Sequence, residues 1–164
     1  MISPVLLTPA TFAPFGRVLQ PGLGAVKRIR DGAVRLSQNP DFLDRDADAV
    51  DLALDFYDVA PHGAQLDAVQ AERHPHSAQL FVPLAEARYL VVVWPMHPDA
   101  HARAFVGGPG QAVIYKPGIW HHGIVAIERQ TPFASLLWRT RTGNDTEFFA
   151  LPKPVVIDLE GPVQ

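Results

Sequence analysis

The sequence predicts a mostly-β protein built as a barrel, with few and short helices. Three observations lead there. Sixteen prolines and twelve glycines punctuate the 164 residues every few positions, which leaves little room for long helices. The segments between them are short and rich in Val, Ile, Leu, Phe, Tyr and Trp. They follow one another at close spacing, the pattern of a sandwich or barrel. A chain of this length, read as one domain over residues 1–164, can bury a real core without staples.

Taken in order, residues 8–15 read as a capped short helix or turn, with Thr8 as N-cap and Pro9 at the first helical position. Gly16 to Gln20 is a strand, residues 21–32 a loop bearing Gly and Arg, and Val34 to Ser37 a weak strand. The acidic stretch 41–51 reads as an exposed loop or one helical turn. It has neither the Gly nor the closing Glu of a calcium loop. Strands are expected at Leu52–Val59, Gln65–Glu72, Gln79–Pro83 and Tyr89–Trp94. Val91-Val92-Val93 is apolar on both faces, as a central strand would be. Arg103–Val106, Gln111–Lys116, Gly123–Ile127, Phe133–Arg139 and Val155–Leu159 complete the set.

Composition excludes several functions. The absence of cysteine removes disulfides, thiolate nucleophiles and Cys-type zinc sites. A formal charge of −3 with scattered Lys and Arg argues against nucleic-acid binding. The longest apolar run, Tyr89 to Met96, is too short to span a bilayer. The opening Met1-Ile2-Ser3-Pro4 lacks the basic flank of a signal peptide, so a cytoplasmic protein is the expectation.

Two clusters concentrate polar groups at strand ends: Glu72-Arg73-His74-Pro75-His76-Ser77-Ala78-Gln79 and Lys116-Pro117-Gly118-Ile119-Trp120-His121-His122. Alternation along a strand would turn His74 and His76 to the same side, provided Pro75 does not break it. A barrel brings separate strands around one lumen, where His74, His76, Gln79 and one of His121 or His122 would converge. Taken singly, each histidine also fits a packed turn, hydrogen-bonded to backbone. The recurrence of two such clusters favours a site. Trp120 reads as a core or interface anchor. His-x-His followed by Gly110…Pro117-Gly118…His resembles the cupin pattern, a jelly-roll β-barrel, with Gln79 where a metal-binding cupin usually has Glu.

At these residues the chain resembles the ureidoglycolate lyase family, formerly the ureidoglycolate hydrolases. The resemblance rests on Glu72-Arg73-His74-Pro75, Gln79-Leu80-Phe81-Val82-Pro83-Leu84, Leu90-Val91-Val92-Val93-Trp94-Pro95 and Ala104-Phe105-Val106. It continues through Gly108-Pro109-Gly110-Gln111 and Tyr115-Lys116-Pro117-Gly118-Ile119-Trp120-His121-His122, with Leu7-Thr8-Pro9…Phe12-Ala13-Pro14-Phe15-Gly16 at the start. It implies a cupin-like β-barrel, a homodimer, and cleavage of ureidoglycolate to glyoxylate and urea in purine (allantoin) breakdown. Two positions depart from the family: Trp138-Arg139 stands in place of an Asp-Arg pair, and Phe56-Tyr57-Asp58 where relatives often carry an Arg. If they face the site, both alter its charge and shape.

The implied chemistry needs a base for the hydroxyl proton, an acid for the leaving nitrogen and a cation for the carboxylate. His74 or His121 is the expected base, with the other, or Glu72, as acid. Arg73, Lys116 or Arg139 would bind the carboxylate, with Gln79 on the ureido amide and His122 beside the substrate. In a competing version nickel, zinc or manganese sits on His74, His76, Gln79 and His122. The rival functions are a cupin-like enzyme acting on another small acid or sugar, and a non-catalytic binding module on the same barrel.

Overall fold

The computed structural model describes residues 1–163. Fourteen strands and one helical turn follow one another in the order β1 (Val5–Leu6), α1 (Pro9–Phe12), β2 (Gly16–Leu19), β3 (Ala25–Ile29), β4 (Val34–Gln38), β5 (Ala49–Val59), β6 (Gln65–Arg73), β7 (Gln79–Pro83), β8 (Tyr89–Trp94), β9 (Arg103–Gly107), β10 (Ala112–Tyr115), β11 (Trp120–His121), β12 (Val125–Ala126), β13 (Thr131–Thr140) and β14 (Glu147–Asp158). Among the described residues, no helix is long and apolar enough to cross a membrane.

A seven-stranded sheet runs β1-β9-β8-β11-β6-β14, with β12 also on β8. It faces a five-stranded sheet, β2-β10-β7-β13-β5. Between them lies an aromatic core of Phe12, Phe15, Phe81, Tyr89, Phe105 and Phe133, with Val91, Val93 and Val113. The rings meet edge to face, as at Phe12–Phe105 (5.3 Å) and Tyr89–Phe133 (5.6 Å). This jelly-roll arrangement meets the expected cupin-like barrel.

A second core fills the back of the seven-stranded sheet, from Leu90, Val92, Trp94, Trp120 and Ile157. That sheet closes on itself there: the Ile2 N–H donates to Val156 O and the Asp158 N–H to Ile2 O. Val91-Val92-Val93 therefore feeds both cores, which explains its unbroken apolar run.

Strand β6 changes sides along its length. Leu66 and Ala68 point to the second core, and so does Ala71, an odd number of residues later. The switch coincides with an irregular step in β14, where Ala150 faces Gln70 but the next partner, Val155, faces Ala68. After it, Arg73 lies on the outside over the Trp120 ring and Glu72 turns inward.

The helical turn is capped as expected: Thr8 accepts from the Thr11 N–H, and the Thr11 hydroxyl accepts from the Thr8 N–H. Two expectations need correction. Residues 21–32 are not all loop, because Ala25–Ile29 pairs with Val34–Gln38 as a separate hairpin. Of the two alternatives for the 41–51 stretch, the exposed loop is the one found, as far as Asp48, before β5 begins at Ala49. β14 also begins well before Val155, at Glu147.

Candidate active site

Strands β6, β7, β11 and β13 bring the polar groups to one end of the space between the sheets. Glu72 and His121 are cross-strand partners, and Glu72 Oε1 lies 3.5 Å from His121 Nε2. The ring of His74, just past the end of β6, lies 5.4 Å from that of His121. The ligand atoms of Glu72, His74 and His121 all fall within 4.8 Å of one another. His122 stands beside them, with Glu72, Gln70 and Gly123 lining a recess of about 250 Å³.

Each ring is held by its neighbours. His121, 1% exposed, stacks flat on Tyr115 at 4.1 Å and donates from Nδ1 to Ile119 O at 2.9 Å. A carbonyl only accepts, so Nδ1 carries a proton and Nε2 is the nitrogen that faces Glu72. Nε2 has no hydrogen-bond partner although it is buried, and the Tyr115 hydroxyl is likewise unpartnered. His74 donates from Nδ1 to Asp145 O at 3.0 Å, and its Nε2 meets the Gln79 side-chain amide at 3.0 Å. The amide atom that faces His74 Nε2 is Gln79 Oε1, and the Thr146 hydroxyl lies 3.1 Å from Nδ1. Gln79 also touches the Ser135 hydroxyl on the next strand.

Burial pushes the His74 and His122 rings below the usual imidazole value, and the neighbouring His121 adds to the effect at His74. At Glu72 burial works to raise the carboxyl. The close approach of His121 Nε2 and the positive charge that the three neighbouring histidines carry when protonated outweigh it, so the carboxyl lies below its ordinary value.

The expected residues do not all meet. His74 and His76 do not share a side, because Pro75 lies in a bend after β6 and not in a strand. His76 turns out to Asp46, Nδ1 to Oδ2 2.7 Å. The set His74, His76, Gln79 and His122 is therefore not assembled, and the cluster that is assembled contains Glu72, His74 and His121. Arg73 lies outside the lumen, paired with Glu147 at 2.6 Å. Lys116 ties down the turn after the helix, donating from Nζ to Ala13 O and Pro14 O. Arg139 follows the inward-facing Ser135 and Leu137 on β13 and pairs with Asp55 of β5 at 2.6 Å.

The two departures face away. Trp138 lies on the outer side of the five-stranded sheet, where the Arg45 guanidinium covers its ring at 4.1 Å. Asp58 accepts from Gln130 Nε2 at 2.6 Å on the surface. The inward neighbour in that strand is Tyr57, whose ring edges Phe81 at 5.3 Å. Tyr57, Asp55, Tyr115 and Ser135 belong to the site region and were not singled out in sequence. Strand alternation in β5, once its sheet partners are known, is the signal that finds the first two.

A two-sheet β-barrel with a buried His/Glu cluster at one end defines the chain as a cupin-like protein. The chain matches the ureidoglycolate lyase family model over residues 1–158 and belongs to that family. It is 34% identical to a ureidoglycolate lyase of Pseudomonas syringae pv. syringae, covering 94% of this chain and 95% of the relative. It is 30% identical to another from Chelativorans sp., covering 93% of each chain. Among solved structures it is similar to a 3,4-ketoisomerase from Helicobacter canadensis, with a TM-score of 0.48 and 11% identity, covering 80% of this chain and 88% of that one.

Proposed function

We propose that this protein is a ureidoglycolate lyase, eliminating urea from ureidoglycolate to give glyoxylate in allantoin breakdown. The supporting observation is the convergence of Glu72, His74 and His121 inside a chain that matches this family nearly end to end. In the elimination the substrate hydroxyl loses its proton, its oxygen forms the carbonyl, the carbon–nitrogen bond breaks, and the leaving nitrogen gains a proton.

His121 is the base. Its Nδ1 proton is committed to Ile119, so Nε2 is open to receive the hydroxyl proton. Glu72, ionised and 3.5 Å away, stabilises the imidazolium that results. His74 is engaged at both ring nitrogens, by Asp145 O at Nδ1 and by Gln79 at Nε2. The proton taken by His121 is therefore the one handed to the leaving nitrogen. Gln79 and His74 hold the ureido group, His122 and the recess beside it accommodate the substrate, and Arg139 binds the carboxylate.

A divalent metal (nickel, zinc or manganese) is the second reading, favoured by the closeness of the Glu72, His74 and His121 ligand atoms and by the anchoring of both Nδ1 atoms to backbone carbonyls, with His121 Nε2 unpartnered and His74 Nε2 shared with Gln79. Bound to Glu72, His74 and His121, such an ion would polarise the substrate hydroxyl. Full activity of metal-free, untagged protein dismisses this reading.

The decisive assay follows glyoxylate and urea release from ureidoglycolate by the purified protein, with equal amounts of both expected. If neither forms but a small carboxylate still raises the melting temperature, the lyase assignment fails and a different enzyme or a binding module stands in its place. We further propose a homodimer. Leu52, Leu54 and Phe56 leave an apolar strip on the outer face of edge strand β5, with Phe56 71% exposed. Sedimentation of Phe56→Glu should show a shift to monomer; a wild-type monomer ends this assignment.

A further inference from the structure

The Asp55–Arg139 pair is built unlike a simple carboxylate site. Asp55 and Ser135 are cross-strand partners on β5 and β13, and the Ser135 hydroxyl meets the Gln79 amide, which in turn touches His74. A continuous row therefore leads from the imidazole cluster to the pair. Tyr57, two residues along the same face of β5, packs its ring edge on Phe81 beside this row. The guanidinium donates to Asp55 at 2.6 Å, and both side chains are 40–49% exposed, open to a ligand at the mouth.

A cation with a carboxylate against it is a poor receptor for a bare anion. The anion gains Arg139 but meets the repulsion of Asp55. A ligand whose carboxylate is followed by N–H donors offers each partner its complement: oxygens to the guanidinium and N–H groups to the Asp55 carboxylate. Exposed ion pairs of this kind are weak, so parting them to admit such a ligand costs little.

We propose that Asp55 is a specificity-determining residue which, paired with Arg139, selects small acids bearing an N–H-rich amide or ureido group and rejects simple carboxylates. This rests on the lyase reading for the position of the substrate, but it makes a claim about binding that turnover does not test.

Calorimetry with two inert isosteres separates the two. N-carbamoylglycine carries a carboxylate and ureido N–H groups, and acetoxyacetate has nearly the same shape without them. Wild-type protein should bind N-carbamoylglycine at least about tenfold more tightly, the size of one hydrogen bond to a charged group. Asp55→Asn should erase that preference while leaving acetoxyacetate bound as well as before or better, and Arg139→Gln should weaken both. A purely structural role for Asp55 would weaken both ligands alike. Equal binding of the two isosteres by wild type, or an unchanged ratio in Asp55→Asn, overturns the inference, and the wild-type ratio decides even if the variant does not fold. Selective binding without glyoxylate release would sink the lyase reading alone, and release without selective binding would sink this inference alone.

Discussion

His121 owes its chemical character to two contacts that involve no ligand. Tyr115 fixes the plane of the ring and Ile119 holds its Nδ1 proton, so Nε2 is the nitrogen kept facing Glu72. His121→Ala should lower kcat/KM for ureidoglycolate by about a hundredfold or more, the scale of general acid–base catalysis. Glu72→Gln should lower kcat, as the imidazolium loses its counter-charge. Wild-type rates in both variants would refute the mechanism. Trp138 makes the opposite prediction. It touches Arg45 on the outer surface, so Trp138→Ala should leave kcat/KM within about twofold and cost only about 0.5–1 kcal/mol in urea denaturation. A large rise in KM would show that the tryptophan reaches the site after all.

Elements were legible where one face was dry. Gln79–Pro83 and Tyr89–Trp94 appear with the bounds read from sequence, because burial wrote an apolar pattern into them. The β3–β4 hairpin was missed for the converse reason: every residue of β3 is exposed, so Lys27 and Arg28 sit beside Val26 and Ile29 without alternation. Pro152 and Pro154 hid most of β14, yet they fall in its irregular step, where ladder bonds are not required. Among site residues, Glu72, His74, Gln79 and His121 were readable as motif residues. Asp55 and the outward turn of His76 were not, since both depend on which strand lies alongside. Packing between elements makes its own prediction at Gly16. A Cβ there would lie 1.7 Å from Ile114 O on the neighbouring strand. Gly16→Ala should therefore destabilise the protein by about 1–3 kcal/mol, through separation of β2 from β10, seen as a lower urea midpoint. An unchanged midpoint would mean that the two strands part freely.

At the scale of the molecule, the site is a polar end on an otherwise apolar interior, and stability should register it. His74 and His122 lie below the ordinary imidazole value of 6.5 in the folded chain, so on acidification the unfolded chain takes up protons first. Stability is then complete above pH 6.5 and declines as pH falls toward the lower folded values. His76, raised by Asp46, acts in the opposite sense but on the solvated surface, where the effect is smaller. Thermal melts between about pH 8 and 5 should show the decline, and His122→Asn should flatten it; a flat wild-type profile would contradict the burial of these rings as neutral groups. The side-switch in β6 has a consequence for how this family could diversify. Adding or removing one residue between Ala68 and Ala71 would exchange the places of Glu72 and Arg73, delivering a guanidinium to the imidazoles and expelling the acid. A single-codon indel, rather than a chain of point substitutions, is thus the shortest route from a proton-transfer pocket to an anion receptor on the same scaffold.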